Sequence, residues 1–151
     1  MQYIFPGQLD EVANTHLSQG IRSGDLIFIS GQLAIDDNLN LVAKGDVVWQ
    51  TRKIFDNMKR ILAEAGGTLQ DVVWLQFLVM DIKDREMLTP VRREYFGENR
   101  PVSTLVQVSK LAIEGALLEV NAIAALGKKQ YNCISLIEEK RVIPTAKLHC
   151  P

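Results

Sequence analysis

Hydrophobic side chains recur along this chain with two spacings, and each spacing predicts a different kind of element. From residue 47 to residue 65 they return at every third or fourth position, which places them on one face of a helix. Asp46 in front of that stretch is a candidate N-cap, and Gly66-Gly67 is a typical helix end. Shorter runs of β-branched, aromatic and aliphatic residues predict strands at residues 18–22, 26–32, 71–80, 103–109 and 116–125.

A second, shorter helix is predicted after a polar turn. Proline is tolerated at a helix start because it has no backbone N–H to donate. Thr89 is therefore interpreted as the N-cap, Pro90 as the first helical residue and residues 91–96 as the rest of the helix. Arg92 and Arg93 on this helix are interpreted as solvent-exposed charges.

The predicted elements follow one another in the order β-β-α-β-α-β-β, after an irregular start at residues 1–10. Short connections between them indicate an α+β domain, with a mainly antiparallel sheet and both helices packed on one face. Residues 71–80 are apolar on nearly both faces, which predicts that copies of the same chain cover the other face of the sheet. We expect one domain over residues 1–129 and an atypical, apolar C-terminal extension over residues 130–151.

Polar residues on the last two predicted strands form the best candidate site. Glu119 and Asn121 share one face of an otherwise apolar strand, and Ser103 and Gln107 share one face of the strand before it. A buried charge is costly unless it has a partner or water. If the two polar faces adjoin, these side chains line one groove. Gly31, at the end of an earlier strand, favours either a bulge or the close approach of another group.

Composition narrows the function classes. The 151 residues carry a formal net charge of −1, so no large basic field is available to hold nucleic acid. No apolar run is long enough for a membrane span, and the first residues do not resemble a secretory signal, so we expect a cytoplasmic protein. Cys133 and Cys150 lack the spacing of a metal site or a disulfide framework, and His16 and His149 do not support a Ser-His-Asp triad.

Four segments together carry a resemblance to a known family. They are IRSGDLIFISGQLAID, QTRKIFDNMKRILAEAGGTLQDVV, EYFGENRP and LLEVNAIA, and their order and spacing cover about residues 15–126. In these segments the chain resembles the RidA/YjgF family, also known as the Rid or L-PSP proteins. The resemblance implies a chorismate-mutase-like (YjgF) α+β fold, a homotrimer, and a small-molecule ligand in clefts between neighbouring subunits. It also implies hydrolysis of reactive enamines and imines, such as 2-aminoacrylate, to 2-keto acids and ammonia without a metal or an organic cofactor.

The resemblance assigns roles to individual residues. Glu119 matches the cleft glutamate that is thought to position the attacking water, which makes it the candidate catalytic residue. The backbone near Ser30 and Gly31 matches a turn that faces the cleft. The other candidate substrate-binding residues are Leu17 at the family's tyrosine position, Thr89 at an asparagine, Ser103 at an arginine, Leu105 at a cysteine, and Asn121.

One departure from the family bears on the substrate. The arginine that holds the substrate carboxylate belongs to a P-A-R-S motif, which reads Pro-Val-Ser-Thr at residues 101–104, so Ser103 takes its place. A serine hydroxyl cannot replace two parallel charge-assisted hydrogen bonds. Arg100 points to the opposite face from Ser103, whereas Arg22 or a residue of the adjacent subunit could serve. We therefore do not expect the ordinary 2-aminoacrylate deaminase.

Three functions follow as hypotheses. The first is a hydrolase or deaminase acting on a small imine, enamine or related metabolite, in which Glu119 orients water. The alternative is a non-catalytic trimer that binds a ligand or a partner and has lost the chemistry. Ribonuclease or translation-inhibitor activity is the third, and the near-neutral charge without a basic-aromatic stripe speaks against it.

Overall fold

One mixed sheet and two helices make up the part of the chain that the structure describes, residues 1–6 and 16–127 of a computed structural model. In chain order the elements are β1 (Gln2–Ile4), β2 (Gly20–Ser23), β3 (Leu26–Gln32), α1 (Val47–Glu64), β4 (Val72–Val79), α2 (Arg85–Phe96), β5 (Val102–Gln107) and β6 (Leu118–Ala125). No helix within these ranges is long and apolar enough to cross a membrane. The predicted extension at residues 130–151, with Cys133, His149 and Cys150, lies outside the described residues.

The strands are arranged in the spatial order β1-β2-β3-β6-β4-β5. Every neighbouring pair is antiparallel except β4 and β5, which are parallel and are connected through α2. The predicted α+β class with a mainly antiparallel sheet is confirmed. The prediction of an irregular start was wrong, because Gln2–Ile4 forms β1 by pairing with β2. A strand of three residues has too short a pattern to be seen in the sequence.

Local sequence signals account for α1. The Asp46 carboxylate accepts a hydrogen bond from the Trp49 N–H at 3.0 Å, so this residue caps the helix as predicted. Gly66, with φ of 80°, follows the last turn in a conformation that favours glycine. The side of the helix that packs on β3 and β6 is buried and includes Ile54, Phe55, Met58, Ile61 and Leu62.

The start of α2 differs from the prediction. The helix begins at Arg85, after a 3-10 turn at Ile82–Asp84, so Pro90 lies inside it and Thr89 is not its N-cap. A proline inside a helix removes one backbone hydrogen bond. The helix is nevertheless stable because its apolar side, including Phe96, is buried in the core.

The two faces of the sheet differ in what covers them. Both helices pack on one face, as predicted, and we call the other surface the open face. Direct strand pairing aligns an apolar row across the open face, consisting of Tyr3, Ile21, Phe28, Ile123, Trp74 and Val102. Phe28 is 43% exposed and Val102 is 68% exposed. A continuous apolar row of this kind favours burial by another molecule, and its coverage by copies of the chain stays a prediction.

Candidate functional site

A β-bulge distorts β3 opposite the polar part of β6. The register between the two strands shifts by one residue between Ile29 and Gln32, so that Ser30 and Gly31 together face a single residue, Asn121. Bulges change the direction of nearby side chains and are common next to functional sites. The bulge that Gly31 suggested in the sequence is therefore present.

The carboxylate of Glu119 lies directly against Gly31. A Cβ atom placed on Gly31 would stand 2.7 Å from Cδ and 3.1 Å from Cγ of Glu119. Any side chain at position 31 would therefore displace the carboxylate. The sequence left open whether Gly31 serves a bulge or a close approach, and in the structure it serves both.

The charge of Glu119 has little local compensation. Its side chain is half-buried on the open face, and this burial raises the pKa of the carboxyl group. Within residues 1–6 and 16–127, no side chain forms an ion pair with it, and no N–H or O–H donates a hydrogen bond to it. A carboxylate with a raised pKa is better matched to accept a proton near neutral pH than an exposed one.

Hydrogen bonds hold the neighbours of Glu119 on the open face. The Asn121 side chain donates from Nδ2 to Oε1 of Gln76 on β4 at 3.1 Å. The Ser30 hydroxyl donates to the Gln19 carbonyl at 3.1 Å, and the Ser30 N–H donates to the same oxygen at 3.0 Å. We call the four candidates around the bulge the bulge site, namely Ser30, Gly31, Glu119 and Asn121.

Leu17 lies near the edge of the sheet rather than in the bulge site. It is exposed and lines an open cavity of about 420 Å³ together with Tyr3 and Ile21. Both of these residues belong to the apolar row of the open face. Leu17 is therefore on the same side of the sheet as the bulge site, near strands β1 and β2.

Ser103 and Leu105 face the opposite side of the sheet. They pair with residues of β4 that are buried beneath the helices, and Leu105 is directly opposite Phe77. β4 separates β5 from β6, and paired residues of neighbouring strands point to the same face of a sheet. The polar residues of β5 and β6 therefore do not adjoin, and the predicted groove between them was wrong. Gln107 is used elsewhere, since its Oε1 accepts a hydrogen bond from the Ile82 N–H at 3.1 Å.

A cavity of about 450 Å³ lies between α2 and β5. It brings together Ser103, Leu105 and Thr89, three of the predicted substrate-binding residues. We call it the α2–β5 cavity, and its remaining lining residues are Ile82, Arg85, Leu88 and Arg92. Apart from Leu17, the predicted site residues thus fall into two groups, the bulge site on the open face and this cavity on the helix side.

Arg92 is the candidate that the sequence reasoning missed. The sequence predicts a solvent-exposed charge, yet Arg92 is half-buried and its guanidinium carbon lies 5.2 Å from the centroid of the Phe77 ring. Burial lowers the pKa of the guanidinium group. The available signal was its position four residues after the buried Leu88, because that spacing places both side chains on one face of α2.

Neither a replacement arginine at Arg22 nor a set of metal ligands is found near these groups. The Arg22 guanidinium donates hydrogen bonds to the carbonyls of Gly24 at 3.1 Å and Ala65 at 2.9 Å. Its strand, β2, is separated from β5 by three other strands, so Arg22 cannot take the place of the family's arginine at position 103 of the same protomer.

Of the described residues, no three His, Cys, Asp or Glu side chains lie close enough together to hold one metal ion.

Comparison with known proteins gives consistent matches over most of the chain. The sequence profile described as endoribonuclease L-PSP matches residues 9–126. A RutC family protein of Pyrococcus abyssi is 41% identical over 107 residues, which is 71% of this chain and 84% of that protein. A protein of Acinetobacter baylyi named 3-aminoacrylate deaminase RutC is 36% identical over 103 residues, 68% of this chain and 81% of that protein.

Solved structures match the same region. RidA from an Antarctic Psychrobacter is 32% identical, with a TM-score of 0.68 over 73% of this chain and 88% of that chain. The YjgF gene product of Escherichia coli is 28% identical, with a TM-score of 0.66 over 73% of this chain and 87% of that chain. The arrangement of sheet and helices described above is therefore also found in solved structures of proteins with related sequences.

Proposed function

Since the chain belongs to the RidA/YjgF family, described as endoribonuclease L-PSP, and has its chorismate-mutase-like fold, we propose that it hydrolyses a small imine or enamine and releases ammonia. The observation that carries this proposal is the Glu119 carboxylate, which lies against Gly31 and has no ion-pair or hydrogen-bond partner among the described residues. The similarity to a protein named 3-aminoacrylate deaminase supports the same reaction class.

The proposed reaction needs one group that moves a proton to and from water. An enamine first takes a proton on carbon, or an imine takes one on nitrogen, and either becomes an iminium ion. The water oxygen then bonds to the iminium carbon, the C=N electron pair moves to nitrogen, and Glu119 accepts a proton from the water. Glu119 returns that proton to nitrogen, which becomes an ammonium group. The hydroxyl group then loses its own proton to solvent, the C–N bond breaks, and ammonia leaves a carbonyl product. No metal or organic cofactor takes part in this scheme.

The site is proposed to lie between two copies of the chain. Glu119 is on the open face, whereas Ser103, Leu105 and Thr89 line a cavity on the helix side. One protomer cannot bring both groups to one ligand, because its own sheet separates them. The apolar row of the open face offers the surface for assembly, and the family resemblance implies a homotrimer with three such clefts.

The substrate is proposed to differ from that of the ordinary 2-aminoacrylate deaminases. Ser103 lacks the positive charge of the family's arginine, and Leu105 and Leu17 replace two polar side chains. These three positions make the proposed cleft less polar and leave a carboxylate without its usual partner at position 103. We therefore expect a preference for another small enamine or imine.

An ammonia-release assay tests the proposed function. Freshly generated 2-aminoacrylate and 3-aminoacrylate are offered to the wild type, Glu119→Gln, Ser103→Arg and the control Glu64→Gln, which removes an exposed carboxylate at the end of α1. The proposal expects turnover of at least one compound by the wild type and the control. It expects Glu119→Gln to lose roughly 10²- to 10⁴-fold in rate while remaining folded. Full activity of folded Glu119→Gln would overturn the proposed role.

Ser103 also favours a second candidate function, that of a non-catalytic ligand-binding trimer. In that case the wild type and Glu119→Gln bind the same ligand equally well, and neither releases ammonia. If only Ser103→Arg turns over 2-aminoacrylate, the cleft is intact and selects a different ligand. Wild-type activity on 2-aminoacrylate would show that another group holds its carboxylate.

A further inference from the structure

Two arginines, Arg85 and Arg92, line the α2–β5 cavity, and the guanidinium group of Arg92 packs against a buried ring. The guanidinium of Arg92 lies over the ring of Phe77, 5.2 Å from its centroid. Phe77 is paired with Leu105 on the neighbouring strand, and Ser103 is two residues before Leu105. The charge of Arg92 is therefore beside the floor of the cavity, about 7 Å along the strand from the level of Ser103.

The positive charges of this cavity have no acidic partner in the described part of the chain. Other arginines are paired there, since Arg52 contacts Glu94 at 3.0 Å and Arg60 contacts Asp37. Arg85 and Arg92 form no such ion pair within residues 1–6 and 16–127. A guanidinium group stays charged in proteins. A half-buried guanidinium without a counter-ion is therefore stabilised when an anion binds beside it.

The rest of the cavity suits a small organic anion. Thr89 and Ser103 contribute hydroxyl groups, and among the described residues the Thr89 hydroxyl makes a single long hydrogen bond of 3.5 Å, to the Arg85 carbonyl. Leu88 and Leu105 supply apolar walls. The volume of about 450 Å³ lies in the range of small-molecule sites, and a guanidinium binds a carboxylate through two parallel hydrogen bonds.

We propose that Arg92, assisted by Arg85, anchors the carboxylate of a small metabolite in the α2–β5 cavity. The anchoring charge is thus on a helix, whereas Ser103 stands at the strand position for which the family resemblance implies an arginine. This assignment rests on the proposed function in one respect, namely that the anchored metabolite is the substrate or the product of the proposed reaction. The binding itself can be tested without turnover.

Titration calorimetry of the full chain with pyruvate, a small keto acid, tests the assignment. Methyl pyruvate serves as the neutral counterpart, and inorganic phosphate serves as the other common anion. The wild type should bind pyruvate more tightly than either compound. Arg92→Gln should weaken pyruvate binding by about ten- to a hundredfold, and Arg92→Lys should be intermediate because it keeps the charge but loses the paired geometry.

Arg93→Gln is the matched control. Arg93 is the next residue of α2, is exposed, and does not line this cavity, so its replacement removes the same charge from the neighbouring helix position. Its pyruvate affinity should be unchanged. A second variant, Ser103→Asp, places a carboxylate inside the cavity, so it should abolish pyruvate binding and raise the melting temperature even if Arg92→Gln folds poorly.

Each of the other outcomes contradicts either the carboxylate site or the proposed function, and the two can be told apart. Absence of pyruvate binding, equal binding of the neutral ester, tighter binding of phosphate, or equal weakening by Arg93→Gln would overturn the carboxylate site. Arg92-dependent binding of pyruvate without any ammonia release would keep the site and overturn the proposed function. Ammonia release that Arg92→Gln does not alter would keep the function and overturn the site.

Discussion

The contact between Gly31 and Glu119 yields the sharpest single perturbation. In Gly31→Ala the new Cβ would stand 2.7 Å from Cδ of Glu119, so the carboxylate must rotate away. Forcing a side chain out of its preferred rotamer costs about 0.5–1.5 kcal/mol. Replacing glycine by alanine recovers about 0.4–1 kcal/mol through the unfolded chain. The two effects nearly cancel, and we expect the free energy of unfolding to change by less than about 1 kcal/mol.

Activity should respond far more strongly than stability. A correctly placed proton acceptor contributes roughly 10²- to 10⁴-fold to the rate, and Gly31→Ala moves that acceptor without removing it. We expect the rate of ammonia release to fall by at least about 10²-fold while urea unfolding is almost unchanged. In the background of Glu119→Gln, adding Gly31→Ala should cause no further loss, because both changes disable the same group.

Gly67→Ala is the control for crowding by itself. Its Cβ would stand 2.9 Å from Cδ2 of Leu126 and 3.2 Å from Cδ1 of Ile27, which is a similar clash with side-chain atoms away from the bulge site. This variant should lose stability and keep its turnover. The reasoning is refuted if Gly31→Ala keeps full activity, or if its effect simply adds to that of Glu119→Gln.

Three further outcomes are expected. Gln50→Leu should lower the free energy of unfolding by at least about 2 kcal/mol in urea, because the buried amide accepts from the Leu117 N–H at 2.8 Å and donates to the Ala43 carbonyl at 3.3 Å. Burial raises the pKa of Glu119 above its unfolded value, so folding is less favourable at a pH where the carboxyl group is ionised. Glu119→Gln should therefore melt higher than the wild type at neutral pH, and this difference should shrink at about pH 4, where the carboxyl group is mostly protonated; equal differences at both pH values would contradict this. Phe28→Lys should dissociate the oligomer in light scattering, and an unchanged mass would contradict the proposed assembly.

The parts of the fold that were predictable are those with strong local signals. Asp46 in front of a long apolar repeat and Gly66 behind it defined α1, and the apolar run at Leu26–Gln32 defined β3 with its observed bounds. The start of α2 carries charged residues without an apolar repeat, so Pro90 is the local signal from which the sequence predicts a later beginning. Strand β1 exists because it pairs with β2, and pairing partners are not visible in a short segment.

The candidate site was predictable only in part, because it depends on strand order and register. Alternation along β6 correctly placed Glu119 and Asn121 on one face. Their separation from Ser103 follows from the insertion of β4 between β5 and β6, which a parallel crossover through α2 could have suggested. The contact between Glu119 and Gly31 requires a one-residue register shift, which strand alternation cannot reveal.

Subunit complementation tests the central claim, that the bulge site of one copy and the α2–β5 cavity of another act on one ligand. Glu119→Gln removes the first group, and Ser103→Trp fills the second. Each variant alone should be inactive. After the two are unfolded, mixed in equal amounts and refolded together, about a quarter of the clefts should combine two intact halves and release ammonia. Mixed oligomers that form, as shown by light scattering and mass spectrometry, yet stay inactive would contradict the claim.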